Sequence, residues 1–311
     1  MELAPITPVA TLRGFAGGCA RLVFSRDRSL LASAGGDSDG RLWEISSNPR
    51  ERSRFGEGMT RISALAFSPN GRTLVAGSGT LDGRIKLLDI TEKLPREIVT
   101  LRGPRGAVNT IAVSPDSKRL AAGGEDRTLR VWDAGPNFRE DATTQLLGHT
   151  GTIRAIAFAP DSQSVATASA DASVRVWTLS RIRSSQRAVF PHSCEVKHLV
   201  WSADGKQILT GDQAGIVRLW DAVAVKSTAR YEFAKPISNL RLLALTPDCR
   251  TLISVSDFVV THWDVQTGLP LREWHLPAVE LTGVALTEDG RYLATGRADG
   301  VISIFRVADK R

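Results

Sequence analysis

The 311 residues include only 3 cysteines and 2 tyrosines. Cys19, Cys194 and Cys249 are odd in number and lack metal-ligand spacing. They exclude a disulfide framework and read as reduced residues of a cytoplasmic chain. Residues 1–8 carry Pro5 and Pro8 and no apolar run long enough for a signal peptide or a membrane span, so no membrane partner is expected. No segment is low-complexity or charge-blocked. There is no H-E-x-x-H, no paired-cysteine motif and no glycine-rich phosphate loop at a strand–helix junction. No metal and no cofactor are therefore expected. With so few tyrosines, aromatics are not interleaved with basic residues as a nucleic-acid binder would want.

Glycines and short apolar runs are plentiful. Residues 146–179 form the clearest unit, with three apolar runs separated by turn signals: Thr152–Phe158, Val165–Ser169 and Val174–Leu179. Runs this short between turns this tight are antiparallel hairpin strands. The tryptophan of the third run recurs. Trp43, Leu88, Trp132, Trp177, Trp220, Trp263 and Phe305 are separated by 45, 44, 45, 43, 43 and 42 residues. Six residues before each lies Asp37, Asp82, Asp126, Asp171, Asp257 or Asp299; the fifth unit has Ala214. Each unit also repeats a first turn of the type Ser114-Pro115-Asp116, with residues suited to tight turns.

A period in the low forties with four strands per unit is a propeller signature. On Gly148-His149, Asp171, Trp177 and the pairs Trp132-Asp133 and Trp220-Asp221, the chain resembles the WD40-repeat family. The expected fold is all-β, a seven-bladed propeller of four antiparallel strands per blade, in a single domain spanning 1–311. The tetrapeptide Thr11-Leu12-Arg13-Gly14 recurs as Thr100-Leu101-Arg102-Gly103, where an outer strand belongs. Residues 9–13 should therefore pair with 301–307 and close the ring, removing two open edges. The Ser-Pro-Asp and Leu-Ala-Ser phrasing resembles prokaryotic WD-repeat chains, in which such units are often fused to kinases or NTPases.

The resemblance implies a buried hydrogen-bond chain through His149, Thr167 or Ser169, Asp171 and Trp177. Only the fourth unit has every member, which predicts softer second and fifth units. A His, a hydroxyl and an Asp also suggest a hydrolytic triad, but a chain ending on an indole N–H has no exposed nucleophile. His192 and His275 lack complete partner sets and read as loop residues.

Aligning the inner strands puts Ala20, Ser63, Asn109, Arg154, Lys197, Arg241 and Thr282 at one position, with no acidic residue among them. In WD-repeat proteins that resemble this chain, that position lines the top mouth of the channel, where peptides dock. Arg154, Lys197 and Arg241 would form a positive arc accepting a carboxylate or phosphate; the competing reading pairs them with local acids such as Glu195. Asn109, Arg61 and Phe258 are further contact candidates, and Arg13, Phe15, Met59 and Arg105 are loop residues of the same end. The expected function is a non-enzymatic docking module, monomeric, for an acidic protein or peptide. The net charge of +7 supports a nucleic-acid-binding propeller as the alternative. A propeller hydrolase is the third reading.

Overall fold

The computed structural model describes residues 6–15, 18–35, 39–133, 143–180, 183–224, 231–232, 237–257, 259–277 and 280–307. They form seven sheets of four antiparallel strands. The inner strands of blades 1 to 7 are Cys19–Phe24, Ile62–Phe67, Val108–Val113, Ile153–Phe158, Val196–Trp201, Leu242–Leu245 and Leu281–Leu286. Second, third and outer strands follow in chain order in the first six blades. In blade 7 the outer strand comes from the other end of the sequence. Pro8–Leu12 pairs antiparallel with Ile302–Arg306, in the register Ala10↔Ile304, Thr11↔Ser303 and Leu12↔Ile302. The closure expected from the repeated tetrapeptide is present. Pro8, Pro191 and Pro270 all lie in outermost strands, where a missing N–H breaks no internal ladder.

The hydrophobic core is divided. Each of seven clusters lies between two neighbouring blades; one joins Leu22, Phe24, Leu31 and Trp43 of blade 1 to Ala285, Ala294, Ile302 and Ile304 of blade 7. Fully buried second strands such as Ser164–Ser169 separate these clusters, so no blade buries both faces alone.

The first turn of each blade follows from its residues. Ser114 Oγ donates to Asp116 Oδ1 at 2.5 Å and accepts Arg119 N at 2.9 Å, while Asp116 Oδ1 accepts Lys118 N at 3.0 Å. The same pattern recurs at Ser25, Ser202 and Thr287. The residue after the Asp pair has φ > 0. It is Gly71, Gly205 or Gly290 in three blades, but Arg28, Ser117, Ser162 and Cys249 hold the same conformation elsewhere.

Candidate functional site: the top mouth of the channel

The end of the ring where inner strands begin is called the top. Here the loops between blades meet the turns that follow second strands. The loop before blade 4 carries Gly148-His149. Gly148 lies against Arg175 and Trp177, where a Cβ would come within 2.7 Å of Arg175 Nη1. His149 Nδ1 meets Asp171 Oδ2 at 2.8 Å and Nε2 meets Thr167 Oγ1 at 2.7 Å; Trp177 Nε1 donates to the same hydroxyl at 2.9 Å. Thr150 N and Ser173 complete the carboxylate shell. Burial works against the Asp171 charge, but the bonds from Ser173, His149 and Thr150 outweigh it and hold the pKa at about 2. Burial keeps His149 below the ordinary histidine value despite Asp171. The hydroxyl of the chain belongs to Thr167; Ser169 instead donates to Gly151 O and accepts Asp171 N. Thr167 is fully buried, so no substrate reaches it as a nucleophile.

Two expectations need correction. His192 is no bland loop residue: its Nε2 reaches Thr210 Oγ1 at 2.8 Å, and Trp220 Nε1 donates to that oxygen at 2.8 Å. Nor does blade 5 lack a turn carboxylate. Asp212, two residues earlier than the usual position, accepts Ala214 N and Ile216 N and pairs with Arg218 at 2.7 Å. The third blade departs unseen from the pattern. Ala122 stands where Thr167 and Thr210 stand, and the buried Trp132 Nε1 has no partner among the described residues. Asp126 there takes Arg130 at 2.6 Å and the backbone N–H of Arg105 at 2.8 Å.

The mouth position has a local cause that side-chain alternation does not reveal. The inner-strand ladders shift register around Ala20, Ser63, Asn109, Arg154, Lys197 and Thr282. Each is the extra residue of a β-bulge, which twists the strand and re-aims the side chain. Arg241 sits at the corresponding point, its N–H bonded to Val255 O at 2.8 Å.

Neighbouring blades bond across these bulges. Thr282 Oγ1 donates to Cys19 O at 2.6 Å and Ser63 Oγ to Val108 O at 2.5 Å; Arg21 Nε donates to Ser63 O. Burial and the nearby Arg61 charge draw the Arg21 guanidinium below its ordinary pKa. His198 Nε2 donates to Leu240 O at 3.1 Å, and burial with help from Lys197 lowers its pKa to about 4. The Asn109 amide nitrogen is buried without a partner among the described residues.

Arg154 and Arg241 are not bare charges. Arg154 Nε bonds Glu195, and Arg241 Nε bonds Asp257 at 2.6 Å. Both arginine side chains remain 42% and 44% exposed. Lys197 and Arg61 are exposed, and neither has an ion pair among the described residues. Phe15 and Met59 belong to the core instead: Phe15 is buried under Arg41, 4.7 Å from its ring centroid, and Met59 is buried in the cluster between blades 1 and 2. Phe258 lies outside the described residues. Among the described residues no cluster of His, Cys, Asp and Glu is arranged to hold a metal, and no helix is long and apolar enough to cross a membrane.

The family "WD domain, G-beta repeat" matches residues 6–44, 53–89, 95–133, 141–178, 184–221 and 270–306. The chain belongs to the WD40-repeat family. The matched WD40 segments begin with an outer strand and continue through the next blade's first three strands. The sixth unit is passed over. The chain is 40% identical over 79 residues to the "Small ribosomal subunit protein RACK1y" of Oryza sativa subsp. japonica, covering 25% of this chain and 23% of the rice protein. It is 30% identical over 107 residues to the "Target of rapamycin complex subunit LST8" of Bos taurus, covering 34% and 32%. "Protein FIZZY-RELATED 2" of Arabidopsis thaliana is 33% identical over 123 residues, covering 38% and 24%. The aligned segments thus span a third or less of these relatives' lengths.

Proposed function

We propose that this propeller is a non-enzymatic interaction platform that receives an acidic protein segment at its top mouth. One observation carries the reading. Blades 4, 5 and 6 place Arg154, Lys197 and Arg241 side by side on bulges or their equivalent, and each arginine is anchored through Nε alone. Among the described residues the Nη edge of each guanidinium has no bond, so it can take a carboxylate end-on while the local acid fixes its direction. Exposed ion pairs of this kind contribute little stability, so a ligand can compete for them. The charge of the arc is +3 from Arg154, Lys197 and Arg241 less 2 from Glu195 and Asp257; Arg21 and Arg61 add positive charge across the mouth. Relatives named as a small ribosomal subunit protein and as a subunit of a target of rapamycin complex support a platform role.

The test is affinity capture from the source lysate with the native chain and an Arg154→Gln, Lys197→Gln, Arg241→Gln variant. Binding of a labelled oligoglutamate peptide is measured alongside. The expected result is capture by the native chain alone and loss of peptide binding in the variant. Equal capture and equal peptide binding by both would move the contact away from the mouth.

A further inference from the structure

A second basic site lies away from the channel, at the top of the groove between blades 2 and 3. It is a pocket of about 750 Å³ lined by Arg84, Arg102, Arg105 and Arg130, with Asp82 and Leu81 at its side. Three features set it apart from an ordinary solvated surface. First, Arg84 and Arg102 are direct cross-strand partners. Like charges placed opposite one another destabilise a sheet, and Asp82 answers Arg84 only at 3.4 Å. Second, the floor is fixed. Gly103 N donates to Gly83 O at 2.8 Å, and Gly83 has φ +58° with Pro104 O where a Cβ would lie. No other residue fits there. Third, Arg130 is held in place. Its side chain is 11% exposed and bonded to Asp126.

The cause is local to this unit. Gly14 and Gly148, at the equivalent point of their loops, rest on the arginine and tryptophan of the following blade. Gly103 rests on Gly83 and Ile85 instead, and Pro104 replaces the histidine that would bond the turn carboxylate. Asp126 keeps the loop N–H of Arg105, as Asp171 keeps that of Thr150, but takes Arg130 instead of a histidine, and Arg130 lines the pocket. Among the described residues, Asp82 stands beside Arg84 and Asp126 behind Arg130.

We infer that this pocket binds a phosphate monoester carried on a polypeptide. Converging guanidinium groups match a dianion with three acceptor oxygens. The volume exceeds that of one phosphate and leaves room for flanking residues. Leu81, 86% exposed at the edge, offers an apolar contact to a neighbouring side chain. Among the described residues no aromatic lines the pocket, so they offer no stacking surface for a nucleobase. The site is independent of the mouth and rests on the platform reading only in naming a polypeptide as the carrier.

The experiment uses the whole chain and a fluorescent peptide pool with a fixed central phosphoserine, its unphosphorylated twin, inorganic phosphate and ATP. Anisotropy should show binding of the phosphorylated pool alone, competed only weakly by inorganic phosphate. Arg84→Ala and Arg105→Ala, both exposed and outside the core, should each weaken it by about tenfold without lowering the melting temperature. The Arg154→Gln, Lys197→Gln, Arg241→Gln variant should bind it normally, which separates failure of this pocket from failure of the mouth. Equal binding of the unphosphorylated pool, or unchanged affinity in both single variants, would overturn the inference. So would tighter binding of ATP than of the pool.

Discussion

Trp132 offers the sharpest test of the packing argument. Its indole is buried in the cluster between blades 2 and 3, and its N–H has no partner among the described residues. In four other blades the same N–H finds a hydroxyl: Trp43 on Ser33 at 2.7 Å, Trp177 on Thr167 at 2.9 Å, Trp220 on Thr210 at 2.8 Å and Trp263 on Ser254 at 2.8 Å. Ala122 occupies that point in blade 3, in the same cross-strand register with Arg130 as Thr167 has with Arg175. An unsatisfied buried donor costs about 1–3 kcal/mol. Ala122→Ser supplies the acceptor, and its own hydrogen can turn to Arg130 O as Ser33 turns to Arg41 O. Allowing for burial of the new hydroxyl, the gain should be about 1 kcal/mol, or roughly 2 °C in melting temperature for a chain of this size. Urea denaturation of the single variants and of Ala122→Ser with Trp132→Phe would close a double-mutant cycle. A favourable coupling near 1 kcal/mol is expected. A destabilised Ala122→Ser with no coupling to Trp132 would refute the reasoning.

Two further outcomes follow from the same structure. The pKa values of His198 and His262 are held at about 4 by burial, against 6.5 in the unfolded chain, with Lys197 and Arg272 acting in the same direction. Between those values the unfolded state binds more protons, so stability is full above pH 6.5 and falls as pH drops. Buried His198 should contribute up to about 1.4 kcal/mol per pH unit in that window. Melting temperatures from pH 7 to 4 should show the decline, and a His198→Gln variant with an unchanged slope would contradict it. Asp171 acts lower still: its contribution is present above 3.8 and is lost as pH falls toward about 2. Gly71→Ala should cost about 1 kcal/mol by the backbone alone, because φ is +71° and nothing lies within 4 Å of the new methyl. Unchanged denaturation midpoints would show that this turn relaxes freely.

The ring, the seven blades and the closure by residues 8–12 were legible because they rest on local chemistry repeated seven times. Turn residues and an aromatic at fixed spacing carry their own meaning wherever they fall. What escaped were the consequences of two strands meeting. Alternation placed Arg154, Lys197 and Arg241 on one face, yet the bulges that aim them arise from an added residue in a ladder, which has no compositional mark. Asp212 took a role two positions from where the repeat predicted it, because a carboxylate needs only reach and donors, not phase. Phe15 and Met59 read as loop residues by position, but apolar side chains at a blade junction are drawn inward. The four arginines of the rim pocket are spread from 84 to 130 and converge only through the register of two adjacent sheets.

The register between sequence unit and blade has a mechanical side. Each repeat supplies one strand to the sheet behind it and three to the sheet ahead, and the seventh sheet is shared by residues 8–12 and 281–306. Tension applied to residues 8 and 306 would therefore load a single antiparallel ladder in which Pro8 faces Phe305. That seam, together with the core that joins blades 1 and 7, resists opening of the ring. Once it parts, the blades can unstack one after another from either side.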